Sequence, residues 1–333
     1  MGLKRYLIAI LLVACLVLSS CRNQEEISPV PVGESSLAAA AGVEETAVLL
    51  TVDGREIPAW RYLYWLGYTC QRIEERYRES ELELDWSTPV AGGTLADYAK
   101  DQALADTALY ATVENWAEQY GCTAAEDGET TASTLPELGL SAEQMEELRQ
   151  TGRLYRELYT LFCTEGSALA PTQEDLRQFG EERGAVTVDR ILIPFGEDRE
   201  AAQRRAAEVF SRMNGAADQA AEFSSLAVEI SGASAPETVL PGDGQLAEEL
   251  MEAAQALGEG QCSGILETGE GFSVLLRLPL EETALREACF DHRLQSAAES
   301  SAVTVTAEYT ALDAGAFAER FLGKLPGDSG EQT

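Results

Sequence analysis

Residues 185–194 read Ala185-Val186-Thr187-Val188-Asp189-Arg190-Ile191-Leu192-Ile193-Pro194, and residues 266–278 read Leu266-Glu267-Thr268-Gly269-Glu270-Gly271-Phe272-Ser273-Val274-Leu275-Leu276-Arg277-Leu278. The first stretch is rich in β-branched residues and closed by a proline, so it predicts a strand. In the second, the runs Cys262–Thr268 and Phe272–Leu278 flank Gly269-Glu270-Gly271 and predict a hairpin. Between them the apolar period lengthens to that of helices. One helix carries Ala202, Ala206, Val209, Phe210 and Met213 and stops at Asn214-Gly215; a shorter one follows around Phe223, Leu226 and Ala227. A turn-rich stretch from Gly232 to Gly244 leads into a further helix that ends at Leu257. The order β-α-α-α-β-β predicts a compact α+β domain over residues 184–280.

On the N-terminal side, residues 47–57 alternate and turn at Asp53-Gly54, which predicts a tight hairpin. Pro58 suits a first helical turn, and Leu63, Leu66, Cys70, Ile73 and Tyr77 continue at three- and four-residue steps. A second helix starts after Thr94, with Asp97 three residues on, and stops at Gly121. Ser141-Ala142-Glu143-Gln144 reads as a capping box opening a third helix, and Thr172 starts a fourth. Residues 47–183 are therefore a helical domain entered through a small hairpin. Residues 281–322 add a helix to about Ser300, a strand through Val303, Val305 and Tyr309, and a helix around Phe317 and Phe321. That strand has no partner nearby in sequence, so it is expected to return to the N-terminal domain and pair near Val48–Val52. Residues 323–333 are expected to fray.

The chain has 333 residues, 45% hydrophobic, with 24 Lys+Arg against 57 Asp+Glu and a net charge of −33. Phosphate backbones require clustered cations, so nucleic-acid binding is excluded. One histidine (His292) and the absence of CxxC, HExxH and GxxxxGK[ST] motifs predict no metal and no cofactor.

Lys4 and Arg5 precede an unbroken apolar run from Tyr6 to Leu18, then Ser19-Ser20-Cys21. The run is shorter than the ~20 residues of a spanning helix and reads as a secretion signal over residues 1–20. Residues 21–46, with Pro29, Pro31, Gly33 and an alanine run, show neither period and are expected to be a flexible tether. Cys70, Cys122, Cys163, Cys262 and Cys289 are an odd, widely spaced set and form no disulfide framework. Cys70 and Cys163 lie on apolar stripes as buried thiols.

Leu18-Ser19-Ser20-Cys21 resembles the bacterial lipobox, by which Cys21 carries the lipid and anchors the protein to the membrane. Taken together, Val188-Asp189-Arg190-Ile191-Leu192-Ile193, Phe223-Ser224-Ser225-Leu226-Ala227 with Ser231, Ala253–Leu257 with Gly260, and Thr268–Leu276 resemble the parvulin-type (PpiC) peptidyl-prolyl isomerases in their exported, SurA/PrsA-like foldase form. Val52–Ile57 and Gln102-Ala103-Leu104 resemble the foldase domain around it. The resemblance implies an apolar cup for a proline ring beside two histidines and an acid or cysteine. The chain departs at those positions. Arg190 and Ser273 stand where the histidines are expected, Ala233, two residues after Ser231, replaces the acid or cysteine, and the aromatic wall falls at Leu250 or Met251.

The resemblance and the lipobox lead to an extracytoplasmic, lipid-anchored foldase or chaperone for newly exported polypeptides, with a degraded isomerase site. Helical spacing buries about half of a helix surface, so Trp60, Tyr64 and Tyr68 are read as exposed, client-binding aromatics. The alternative is an active, divergent prolyl isomerase, since the reaction rotates an amide with a barrier of ~18–20 kcal/mol and breaks no bond. A third possibility, a solute-binding lipoprotein, lacks the repeated βαβ units such proteins need.

Overall fold

The computed structural model describes residues 37–125, 135–232 and 234–323, which divide into two compact units. One comprises residues 171–289; the other joins residues 37–170 to residues 290–323.

The chain enters through a short helix, α1 (Leu37–Ala41), and a hairpin of β1 (Val48–Val52) and β2 (Arg55–Pro58). Asp53 and Gly54 take φ values of 50° and 84°, the two left-handed residues that a tight hairpin turn demands. Next come α2 (Ala59–Glu79), a two-stranded ribbon of β3 (Pro89–Val90) and β4 (Gly93–Thr94), α3 (Leu95–Tyr120) and α4 (Ala142–Cys163). Reciprocal side-chain caps start the last two helices: Thr94 with Asp97, and Ser141 with Gln144. Each cap satisfies backbone N–H groups that the first turn leaves without helical partners.

The central unit contains α5 (Gln173–Arg183), β5 (Val186–Pro194), α6 (Arg199–Gly215), α7 (Gln219–Ser231), β6 (Glu237–Val239), α8 (Glu248–Ala256), β7 (Leu266–Glu267) and β8 (Gly271–Leu278). Its sheet is antiparallel throughout, in the order β6-β5-β8-β7. The sequence predicted no strand at β6, which sits inside the stretch read as turn. One sheet face packs Ile191, Ile193, Val274 and Leu276 against α6 and α7; the other packs Val186, Val188 and Leu275 against α8. Gly271 opposes Pro194, and a Cβ there would lie 2.3 Å from the Ile193 carbonyl oxygen. Only glycine fits that close approach.

From α9 (Arg286–Ser300) the chain returns to the unit that holds residues 37–170, with β9 (Val303–Val305), α10 (Ala307–Ala311) and α11 (Ala314–Leu322). β9 lies antiparallel to β1, with Leu50 opposite Val305 and Val52 opposite Val303. Tyr309, expected in this strand, instead belongs to α10 and packs edge-on against Tyr62 at 5.1 Å. The Lys100 ammonium donates to the carbonyls of Tyr309 (2.9 Å) and Leu312 (2.8 Å), fastening the C-terminal segment to α3.

The expected tether ends earlier than residue 46. Residues 37–41 form α1, with Leu37 and Ala40 buried and the Ala40 carbonyl accepting from Arg320 Nε at 2.6 Å. Gly67 allows this approach, since a Cβ there would lie 3.1 Å from Leu37 and 3.3 Å from Phe321. The leader over residues 1–20, Cys21 and the tail from residue 324 lie outside the described residues. Among the described residues, no helix is long and apolar enough to cross a membrane.

Candidate functional site

Strand alternation decides what the central sheet can present. In the β5–β8 ladder, Arg190 opposes Leu275 and Leu192 opposes Ser273. Arg190 and Ser273 therefore stand on the α8 face, one diagonal step apart, which long side chains can span. Arg190 Nε donates to Ser273 Oγ at 3.1 Å, and Nη2 donates to Glu270 Oε2 at 3.0 Å. Ser273 is wholly buried, whereas the Arg190 side chain keeps 27% of its surface and Glu270 68%. The guanidinium thus starts at a buried hydroxyl and runs outward to a solvated carboxylate. The two positions where histidines were expected are occupied and joined to each other.

Leu250 and Met251 are buried, at 1% and 6% exposure, in the cluster with Val188, Val239 and Leu275. They support the sheet face and form no open wall for a ring. Ser231 closes α7, and Ala233 lies outside the described residues. The structure therefore brings together Arg190 and Ser273 from the expected set, with Leu250 and Met251 packed in the apolar cluster on the same sheet face.

Sequence reasoning overlooked two residues. Asp189, only 2% exposed, accepts hydrogen bonds from Ser234 Oγ and, at 3.4 Å, from the Ala235 N–H, so it fixes the loop that follows α7. Ser263 is buried beside β8: its hydroxyl accepts from Leu275 N–H and donates to the Gly264 carbonyl, at 2.8 and 2.7 Å. An acid or a small hydroxyl with β-branched neighbours was the only sequence signal available.

The chemistry open to this arrangement is narrow. Arginine only donates and is not deprotonated in proteins, so Arg190 cannot serve as a proton acceptor. It can hold a carbonyl oxygen or a carboxylate. Among the described residues no cluster of metal-ligating side chains is found. His292 is exposed on α9, outside the unit that holds Arg190 and Ser273.

The exposure expected for the aromatic cluster of α2 is not found. Trp60 is 7% exposed and Tyr64 fully buried, with the Tyr64 hydroxyl donating to the Pro136 carbonyl at 3.1 Å. Tyr68 alone is half-buried, stacked on Tyr64. Every residue from Ala59 to Gly67 is buried, because α2 is covered on more than one side. Cys70 is buried and its thiol is pushed up to about 12 by that burial; Cys163 is half-buried.

Residues 190–278 match the family described as rotamase, the PPIC-type PPIase domain. The antiparallel sheet with two helices on one face and one on the other is thus a parvulin-type domain. Over the whole chain, similar solved structures include PrsA from Bacillus subtilis, at 13% identity, covering 84% of this chain and 92% of that one, with a TM-score of 0.24. Foldase protein PrsA from Streptococcus pneumoniae matches at 15% identity over 76% and 88%, TM-score 0.24. One of two structurally related SurA-like chaperones of Campylobacter jejuni matches at 12% identity over 76% and 92%, TM-score 0.24. No curated protein matches the chain.

Proposed function

We propose that the protein is an extracytoplasmic foldase that holds newly exported polypeptides, tethered to the membrane by a lipid on Cys21, and that its PPIC-type domain has lost prolyl isomerase activity. The observation that carries the last part is the Arg190–Ser273 hydrogen bond, extended to Glu270, at the positions where the resemblance places histidines. A site filled by an arginine–carboxylate pair and a buried hydroxyl leaves out the histidines that the resemblance implies. It also leaves Leu250 and Met251 as core where a proline ring would need space. The acidic body that follows residue 20 suits attachment through acyl chains, since anionic lipid repels it.

The rival reading, a divergent active isomerase, draws on the partial exposure of Arg190, which could donate to a prolyl carbonyl. Isomerisation requires positioning and desolvation more than proton transfer.

Aggregation of a chemically reduced client, followed by light scattering with and without the full chain in mild detergent, tests the holding function. Suppression at near-stoichiometric ratios is expected; unchanged scattering at excess protein removes the proposal.

A further inference from the structure

The central unit holds a cavity of about 570 Å³ whose walls come from α5, the start of β5, the end of α8 and the segment that leaves β8. That volume lies in the range of small-ligand sites. Local chemistry sets its shape. Gly184 ends α5 with a φ of 70°, and Gln255 Nε2 donates to its carbonyl at 2.9 Å, which joins α8 to α5. Gly180 leaves the room that Leu280 fills, since a Cβ there would lie 2.7 Å from Leu280 Cδ2. Val186, Pro279 and Leu280 form an apolar wall, and Arg277 of β8 faces the same space. Arg277 opposes Val188 in the ladder, so it shares a sheet face with Ser273 but stands about 13 Å further along the strand. The cavity is therefore separate from the Arg190–Ser273 pair.

The backbone of Arg277 is fully engaged: its N–H donates to the Gln261 carbonyl at 2.9 Å and its carbonyl accepts from the Gly260 N–H at 2.7 Å. Its guanidinium is not. Nη1 is enclosed without a hydrogen-bond partner among the described residues, and Nη2 reaches the Ala185 carbonyl only at a long 3.5 Å. Glu259, exposed in the turn before Gly260, is the one carboxylate that acts on Arg277, and it forms no ion pair with it. The other acids around the cavity, Glu181 and Glu282, act on Arg177, which already pairs with Glu174. Acids outnumber bases by 57 to 24 in this chain, yet none closes on Arg277. An enclosed donor without an acceptor calls for one, and a guanidinium beside an apolar wall suits a planar anion.

We propose that this cavity takes a carboxylate of an extended client, held by the Arg277 guanidinium, with the adjoining apolar side chain against Val186, Pro279 and Leu280. This rests on the holding function proposed above and names the client chemistry that one pocket reads. The fork of a guanidinium matches a carboxylate in geometry as well as charge. A doubly charged phosphate would meet Glu181, Glu259 and Glu282 around the same space, whereas a single carboxylate with an apolar neighbour meets Arg277 and the apolar wall. A chain terminus and an Asp or Glu side chain offer the same group.

The test uses the full chain in mild detergent and fluorescence anisotropy with three N-terminally labelled peptides of one otherwise uncharged sequence ending in leucine: the free acid, the C-terminal amide, and the amide with a central glutamine replaced by glutamate. Measurements at about 0.15 M salt screen the general repulsion from a chain charged at −33. At least one carboxylate peptide is expected to bind about tenfold more tightly than the neutral amide, and which one does so tells terminus from side chain. Arg277→Gln should close the gap while the affinity for the neutral amide stays. Glu259→Gln, an exposed change that removes the competing acid, should widen it. Equal affinity for all three in the wild type, a gap that survives Arg277→Gln, or one that Glu259→Gln fails to widen overturns the pocket and leaves the holding function standing. Failure of every peptide to bind overturns the pocket, and together with unaffected client aggregation it overturns both. The wild-type comparison and Glu259→Gln leave Arg277 in place, so they decide the matter even if Arg277→Gln folds poorly.

Discussion

Arg190 and Ser273, from the two central strands of the parvulin-type sheet, are hydrogen-bonded to one another at 3.1 Å, and Arg190 continues to Glu270 at 3.0 Å. The ion pair is largely solvated on its Glu270 side, and exposed pairs contribute between ~0 and 1 kcal/mol. The guanidinium is also the partner of the buried Ser273 hydroxyl, so Arg190→Ala should cost about 1–3 kcal/mol of unfolding free energy in urea titrations and leave client holding intact. A larger loss would mean that the arginine is a structural element of the sheet.

Trp60 and Tyr64 are core, and Tyr68 is rim. Replacing either buried aromatic with Ala should cost about 3–5 kcal/mol, as aromatic-to-alanine changes in cores do. Tyr68→Ala should cost visibly less, because part of that ring already meets solvent. Thermal midpoints of the three variants, measured in one buffer, check the ranking.

Asp106 sets a pH dependence whose sign follows from its raised carboxyl. In the folded chain it holds its proton up to about pH 7, whereas an ordinary aspartate releases it near 3.8. Between those values unfolding releases a proton, so the contribution is fully present below the unfolded value and is lost as pH rises through the folded one. Asp106→Asn should match wild type near pH 3.5 and exceed it by roughly 3–6 °C in midpoint at pH 8, the shift expected from one to two kcal/mol in a chain of this size. Calorimetry across that range gives the answer.

Lys100 ties the last described segment to α3 through two carbonyls. Lys100→Ala should destabilise by about 2 kcal/mol, the scale of charge-assisted bonds to partly buried acceptors. Amide exchange should quicken most over residues 303–322, where the lost contacts lie.

Much of this fold was legible in the sequence. The strand at 186–194, the hairpin before Leu278 and the boxes at Thr94 and Ser141 carry their signals within a few residues, so local chemistry sufficed. The pairing of β9 with β1 followed from a strand lacking a near neighbour. β6 was hidden because its three residues sit between Pro236 and Pro241, where turn residues dominate. Burial around α2 was illegible for a different reason: part of what covers it, α1 and α11, comes from segments far apart in the sequence. Leu37-Ala38-Ala39-Ala40-Ala41 reads as linker until Phe321 is placed against it. Asp106 has no sequence signal at all, since an aspartate on a helix is ordinarily solvated and only the surrounding tyrosines make it otherwise.

The proposed function has the protein hold clients while its PPIC-type domain leaves their prolyl bonds unrotated. Relaxation of a proline tetrapeptide from cis to trans, followed with the full chain at a concentration that suppresses client aggregation, tests it most directly. The rate is expected to equal the uncatalysed one. Acceleration that Arg190→Ala or Ser273→Ala abolishes would contradict it and make the Arg190–Ser273 pair the centre of an active isomerase.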